Sequence, residues 1–116
     1  ADDLVVKSTG INSSLKLYLI QSVDRKLPFE DIAAAKGMDM ERLISEIETI
    51  VFSGTKLNIN YYLEDLFDDD QLEELYDYYI ESESDSIDSA MEEFDGDYEE
   101  EELRLYRIKF LSEIAN

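Results

Sequence analysis

The stretch Met40 to Phe52 constrains the fold of this chain more than any other. Met40, Leu43, Ile44, Ile47, Ile50 and Val51 recur at i, i+3, i+4 and i+7, which draws one apolar stripe down an α-helix. Ser53 and Gly54 close it. Upstream, Pro28 suits the first position of a shorter helix, where its missing N–H has no intrahelical partner to lose. That helix runs from Phe29 to Lys36 with Phe29, Ile32 and Ala33 inward, and Gly37 ends it because glycine takes positive φ without strain. A short helix, the turn Gly37-Met38-Asp39 and a longer helix make a helix-turn-helix pattern. Ala33 supplies the small residue such a crossing needs, and Ile32, Met38 and Leu43 stand where these units bury apolar side chains. Lys36 and Glu46 occupy positions where apolar residues are usual, although Ile47 lies beside the latter. An ordinary helical pair in a bundle has the same periodicity.

Other helices are legible on either side. Residues 1–10 read as an extended opening segment with Leu4, Val5 and Val6 available for packing. A helix from about Ser13 to Val23 is capped by Asn12 or Ser13 and aligns Ile11, Leu15, Tyr18, Leu19 and Val23. Leu57, Ile59 and Tyr61 alternate with Asn58 and Asn60, which reads as one short β element near 57–61 or as the approach to another helix. Tyr62, Leu63, Leu66 and Phe67 resume helical spacing. Asp70 with Glu73 forms a capping pair for a helix carrying Leu72, Leu75, Tyr76, Tyr79 and Ile80. After a polar break at 81–86 come Ile87, Ala90, Met91 and Phe94, then a break at Asp95-Gly96-Asp97. A last helix from about Glu99 to Ala115 carries Leu103, Tyr106, Phe110 and Ile114, with Leu105, Ile108 and Leu111 beside them. Its acidic first turn and later basic residues suit the helix dipole. The expected fold is all-α, with the helix-turn-helix half at 1–56 packed against an acidic helical half at 57–116 as one unit.

Charge divides the chain unevenly. Residues 1–56 hold seven Lys/Arg against nine Asp/Glu, net −2; residues 57–103 hold none against twenty; residues 104–116 hold three against one, net +2. These sum to the chain's −20. Disordered acidic chains are poor in aromatics, whereas thirteen Phe and Tyr and a hydrophobic content of 44% argue for a packed core. Cys and His are absent, which removes disulfides, the usual zinc sites, thiol catalysis and any Ser-His or Cys-His nucleophile pair. Gly54-Thr55-Lys56 lacks the form of a phosphate loop. Asp95-Gly96-Asp97 places its glycine second rather than sixth for a calcium loop, with Glu100 where the glycine is needed. No catalytic, metal or cofactor-binding residue is expected in this chain. No apolar run has the length of a membrane span and no secretory leader pattern is present, so the expected location is cytoplasmic, with no membrane partner. Ala1 is an unusual first residue for a translated protein and reads as the start of a cut-out segment.

In a DNA-reading unit the second helix enters the major groove. The exposed positions on this one would be Asp39, Glu41, Arg42, Ser45, Glu46 and Glu48, which offers carboxylates to phosphates. Candidate DNA contacts are therefore the basic residues around it, Lys16, Arg25, Lys26, Lys36, Arg42 and Lys56, with Arg104, Arg107 and Lys109 as a further set. The acidic stretch reads as a solvated face, as a docking surface centred on Asp68, Asp69, Asp70, Glu73 and Glu74, or as a mimic of DNA charge. Tyr61, Tyr62, Tyr76, Tyr78, Tyr79, Tyr98 and Tyr106 read as core packing in preference to nucleobase stacking.

Three runs carry a resemblance. Leu17-Tyr-Leu-Ile-Gln-Ser-Val-Asp-Arg-Lys-Leu-Pro-Phe-Glu-Asp-Ile-Ala33, Ile50-Val-Phe-Ser-Gly-Thr-Lys-Leu-Asn-Ile-Asn-Tyr-Tyr-Leu-Glu-Asp65 and Glu101-Glu-Leu-Arg-Leu-Tyr-Arg-Ile-Lys-Phe-Leu-Ser-Glu-Ile-Ala-Asn116 together resemble the extreme C-terminal region of RecQ-type ATP-dependent DNA helicases of Bacteroides-like bacteria. The resemblance implies a non-catalytic accessory tail of a DNA-unwinding ATPase of recombination and repair, contacting DNA, the helicase core or another repair protein. ATP and Mg would belong to the motor of that parent and not to this chain.

Overall fold

The computed structural model describes residues 13–113, which form seven α-helices and no strand. The expected opening segment at 1–10, and Ile11, Asn12, Ile114 and Ala115, lie outside the described residues. The helices are α1 (Ser13–Asp24), α2 (Phe29–Ala35), α3 (Met40–Phe52), α4 (Asn60–Leu66), α5 (Asp69–Glu81), α6 (Ile87–Phe94) and α7 (Glu100–Glu113).

The ends of α1, α2 and α3 share one device. Each closes with a backbone N–H bonding five residues back and its predecessor bonding three back: Leu27 to Ser22, Met38 to Ala33, Thr55 to Ile50. The residue between must take positive φ, and Gly37 at +67° and Gly54 at +105° do so freely. At the end of α1 that place is held by Lys26 at +60°, a conformation costly for a residue with a Cβ. The Asp39 carboxylate caps α3 by accepting from the Arg42 N–H at 2.8 Å.

In the acidic half one alternative is decided and one expectation is corrected. Of the two readings of residues 57–61, the approach to a helix holds and the strand does not. Their alternation is real, with Leu57 and Ile59 buried and Asn58 exposed, but no second strand lies beside them. The Leu57 N–H instead donates to the Ser112 hydroxyl on α7 at 3.2 Å, and α4 starts at Asn60. The cap of α5 sits two residues earlier than Asp70–Glu73. Asp68 is the extended residue, its carboxylate accepts from the Gln71 N–H, and the Gln71 side chain returns to the Asp68 N–H. Asp70 lies within the first helical turn, where its charge suits the dipole.

A single hydrophobic cluster draws on both segments: Leu19, Phe29, Leu43 and Ile47 from the first, and Leu63, Leu75, Tyr106 and Ile108 from the second. The helix at its centre is α7, which packs against α3, α4, α5 and α6. That position explains its sequence, in which Leu103, Leu105, Tyr106 and Ile108 point to different neighbours instead of forming one stripe.

Candidate functional site

The stripe of α3 built from Leu43, Ile44, Ile47, Ile50 and Val51 is buried as its periodicity predicts. A second, mostly polar face of the same helix is engaged by α7, with Glu48 buried at its middle and Glu41 and Phe52 exposed at its ends. Glu41, Ser45, Glu48 and Phe52 follow at i, i+4, i+7 and i+11, and all four meet arginines of α7. Arg104 Nε and Nη2 donate to the two Glu48 oxygens at 3.1 and 2.8 Å, a bidentate fork. Its Nη1 reaches both Glu41 oxygens at 3.0 Å, and Nη2 also donates to Ser45 Oγ at 2.9 Å. One turn on, Arg107 Nη2 donates to Glu48 at 3.3 Å, its Nη1 to the Asp85 carbonyl at 3.2 Å, and its guanidinium lies 5.4 Å from the Phe52 ring centre. Arg104 and Glu48 are each 8% exposed. Hydrogen bonds to Glu48, opposed by burial, hold the Arg104 guanidinium well above its usual range, so it stays charged at any accessible pH.

This network corrects two expectations. Glu48 is not an exposed position of the second helix; it is the buried anchor of α7. Arg104, Arg107 and Lys109 are not free cations facing solvent, because all three are held internally. Lys109 Nζ donates to Asn60 Oδ1 and to Glu113 Oε1, each at 2.8 Å.

The rest of α3 offers little to a polyanion. Arg42 pairs with Glu46 at 3.0 Å, and Asp39 is its cap. The remaining basic candidates are spread over several elements. Lys16 lies half-buried on α1 and Lys56 is exposed after α3. Arg25 and Lys26 are exposed in the turn after α1, with Lys26 beside Glu30 and Asp65 around a cavity of about 300 Å³. Lys36 ends α2 with its ammonium 4.7 Å from the Tyr18 ring centre. The acidic candidates, by contrast, are brought together on the first turns of α5, where Asp68, Asp69, Asp70, Glu73 and Glu74 are all exposed. Two of them also act internally, Asp68 as the cap and Glu74 as acceptor of the Tyr98 hydroxyl at 2.6 Å.

The tyrosines pack mainly as expected. Tyr79 stacks on Tyr106 at 5.6 Å, and Phe94 meets Tyr98 edge-on at 5.0 Å. Tyr76 is the correction, 45% exposed, and Ile80 one turn later is 46% exposed. Burial raises the phenols of Tyr61 and Tyr106 from 10.0 to about 12, and burial first of all raises those of Tyr62, Tyr79 and Tyr98 further. The folded state thus favours the protonated phenol. That contribution is complete below pH 10 and is lost as pH climbs from 10 towards 12. Titration followed by tyrosinate absorbance and far-ultraviolet circular dichroism should show these phenolates appearing together with loss of helix above about pH 10. Their titration near pH 10 with helicity intact would contradict the burial.

The sequence of α1 to α3 and the start of α4 matches a known family model. Residues 13–63 match the RecQ-1-like helix-turn-helix domain. The matched span runs from the first residue of α1 to Leu63 in α4, and so takes in the buried Leu57 that bonds Ser112 on α7. No curated protein matches the chain. Among the described residues no helix is long and apolar enough to cross a membrane, and no group of His, Cys, Asp and Glu is arranged to hold a metal ion.

Proposed function

We propose that this chain is the non-catalytic C-terminal accessory module of a RecQ-like ATP-dependent DNA helicase of recombination and repair, and that its auxiliary contact is made to protein. ATP and Mg then serve the motor of the parent, in the cytoplasm. The observation that carries the reading is the cover on α3. A groove-reading helix must present one polar face to bases, and here Glu41, Ser45 and Glu48 are engaged by Arg104. The neighbouring face is the neutral pair Arg42–Glu46. Twenty carboxylates follow with no intervening cation between residues 57 and 103, a field that repels a phosphate backbone and attracts basic protein surfaces.

A second reading keeps a DNA contact through Lys16, Arg25, Lys26, Lys36, Arg42 and Lys56. In its favour, all but Lys16 are exposed.

The test uses the full-length product of the gene that encodes this chain, with and without residues 13–113. ATP hydrolysis should stay within about twofold, since catalysis lies elsewhere, while recruitment of repair partners or unwinding of branched DNA should fall. A gene product with no motor, or hydrolysis abolished by the deletion, would overturn the proposal.

A further inference from the structure

Between α4, α5 and α7 lies a groove that the core does not fill. Its cavity holds about 340 Å³, floored by Leu63 and Tyr106 and walled by Leu72 and Tyr76. Leu72, Tyr76 and Ile80 repeat at i, i+4 and i+8, so the apolar wall continues along α5 beyond the cavity. Tyr76 and Ile80 are about half exposed, large apolar side chains that the fold leaves uncovered. The rim is acidic. Glu64 and Glu73 stand at the cavity, Asp77 is exposed next to Tyr76 on α5, and Glu113 is bonded to the lining Lys109. Lys109, the one cation among the described residues that line it, is held by Asn60 and Glu113.

We propose that this groove docks a basic amphipathic helix of a partner protein, its apolar side chains seated on Leu72, Tyr76 and Ile80 and its Lys and Arg facing Glu64, Glu73 and Asp77. Charge complementarity selects this occupant. A second copy of the chain would bring the same carboxylates to the same rim, and a nucleic acid would be repelled by it. The shape fits the helix-in-groove mode, in which apolar anchors recur at i, i+4 and i+7. The inference rests on the protein-contact reading above and names its surface and the chemistry of its partner.

The test is fluorescence anisotropy of the chain against a labelled Leu/Lys amphipathic peptide of about 18 residues, beyond the length at which isolated helices are marginal. A peptide of equal composition with the leucines scrambled is the control. Micromolar binding to the amphipathic peptide, at least about tenfold weaker binding to the scrambled one, supports the groove. Tyr76→Glu with Ile80→Glu separates apolar docking from bulk attraction, because it adds negative charge yet should weaken binding at least about tenfold. Glu73→Lys with Asp77→Lys should do the same, whereas the equal charge change Asp24→Lys with Glu92→Lys should move affinity less than about threefold. Thermal midpoints of all variants should stay close to the parent, as the altered positions are exposed. Any of four results overturns the proposal: no binding, equal binding of the scrambled peptide, unchanged binding to the Tyr76/Ile80 variant, or self-association through this face in place of peptide binding. The accessory role is scored separately by the deletion experiment, so the groove can fail while that role stands.

Discussion

Arg104→Ala should lower the thermal midpoint by about 15 °C, corresponding to about 3 kcal/mol in a domain of this size. The residue is 8% exposed and its side chain makes five hydrogen bonds to Glu41, Ser45 and Glu48. Removing it leaves Glu48 buried with only Arg107 at 3.3 Å, and an under-compensated buried carboxylate is what makes such truncations expensive. Most of the loss belongs to Glu48. The Glu41 side chain is 65% exposed and solvent screens its share. Glu48→Leu combined with Arg104→Met should recover most of the loss, since apolar replacement of a whole buried pair is close to neutral. Thermal circular dichroism reads both, and a fall below about 3 °C for Arg104→Ala would show that the network does not hold α7 on α3.

Phe29→Ala should be at least as damaging, about 4 kcal/mol. Phe29 is fully buried, stacks on Tyr62 at 4.2 Å and meets Tyr61 edge-on at 6.3 Å. Those tyrosines tie α4 back to the start of α2: the Tyr61 hydroxyl donates to the Leu27 carbonyl, and that of Tyr62 to Glu30 at 2.8 Å. The truncation therefore opens a cavity and removes two aromatic contacts. Leu17→Ala, at a position 55% exposed, should change stability by less than about 0.5 kcal/mol. Urea unfolding of the two variants makes the comparison, and similar midpoints would remove Phe29 from the core.

The helices were legible because their apolar positions repeat, and α3 most of all. Breaks at Pro28, Gly37 and Gly54 were legible because proline and glycine have few conformational substitutes. At 57–61 the sequence left a strand and a helix approach open for an identifiable reason: alternation reports which side chains are buried, while a strand also needs a partner backbone, and Leu57 bonds the Ser112 side chain. The cap of α5 was misplaced within Asp68-Asp69-Asp70 because three successive carboxylates offer the same chemistry, and only backbone ψ picks one. Pairing between distant helices left fainter marks. Arg104 between Leu103 and Leu105 was the available sign of a buried cation, but its partners on α3 lie 56 and 63 residues away. The groove also left a sign. Leu72, Leu75, Tyr76, Tyr79 and Ile80 span more of α5 than one core face can cover, so some had to remain outside.

DNA binding at low salt tests most directly whether α3, with its polar face engaged by Arg104, is unavailable to DNA. Electrostatic attraction is strongest there, with a screening length of about 30 Å at 0.01 M salt, and non-specific DNA binding by basic proteins then reaches micromolar affinity or better. Anisotropy of a labelled duplex titrated with this chain is expected to show no saturable binding up to about 100 μM. Saturable micromolar binding that weakens steeply with salt, and is lost on Arg42→Ala, would put α3 against DNA and contradict the account.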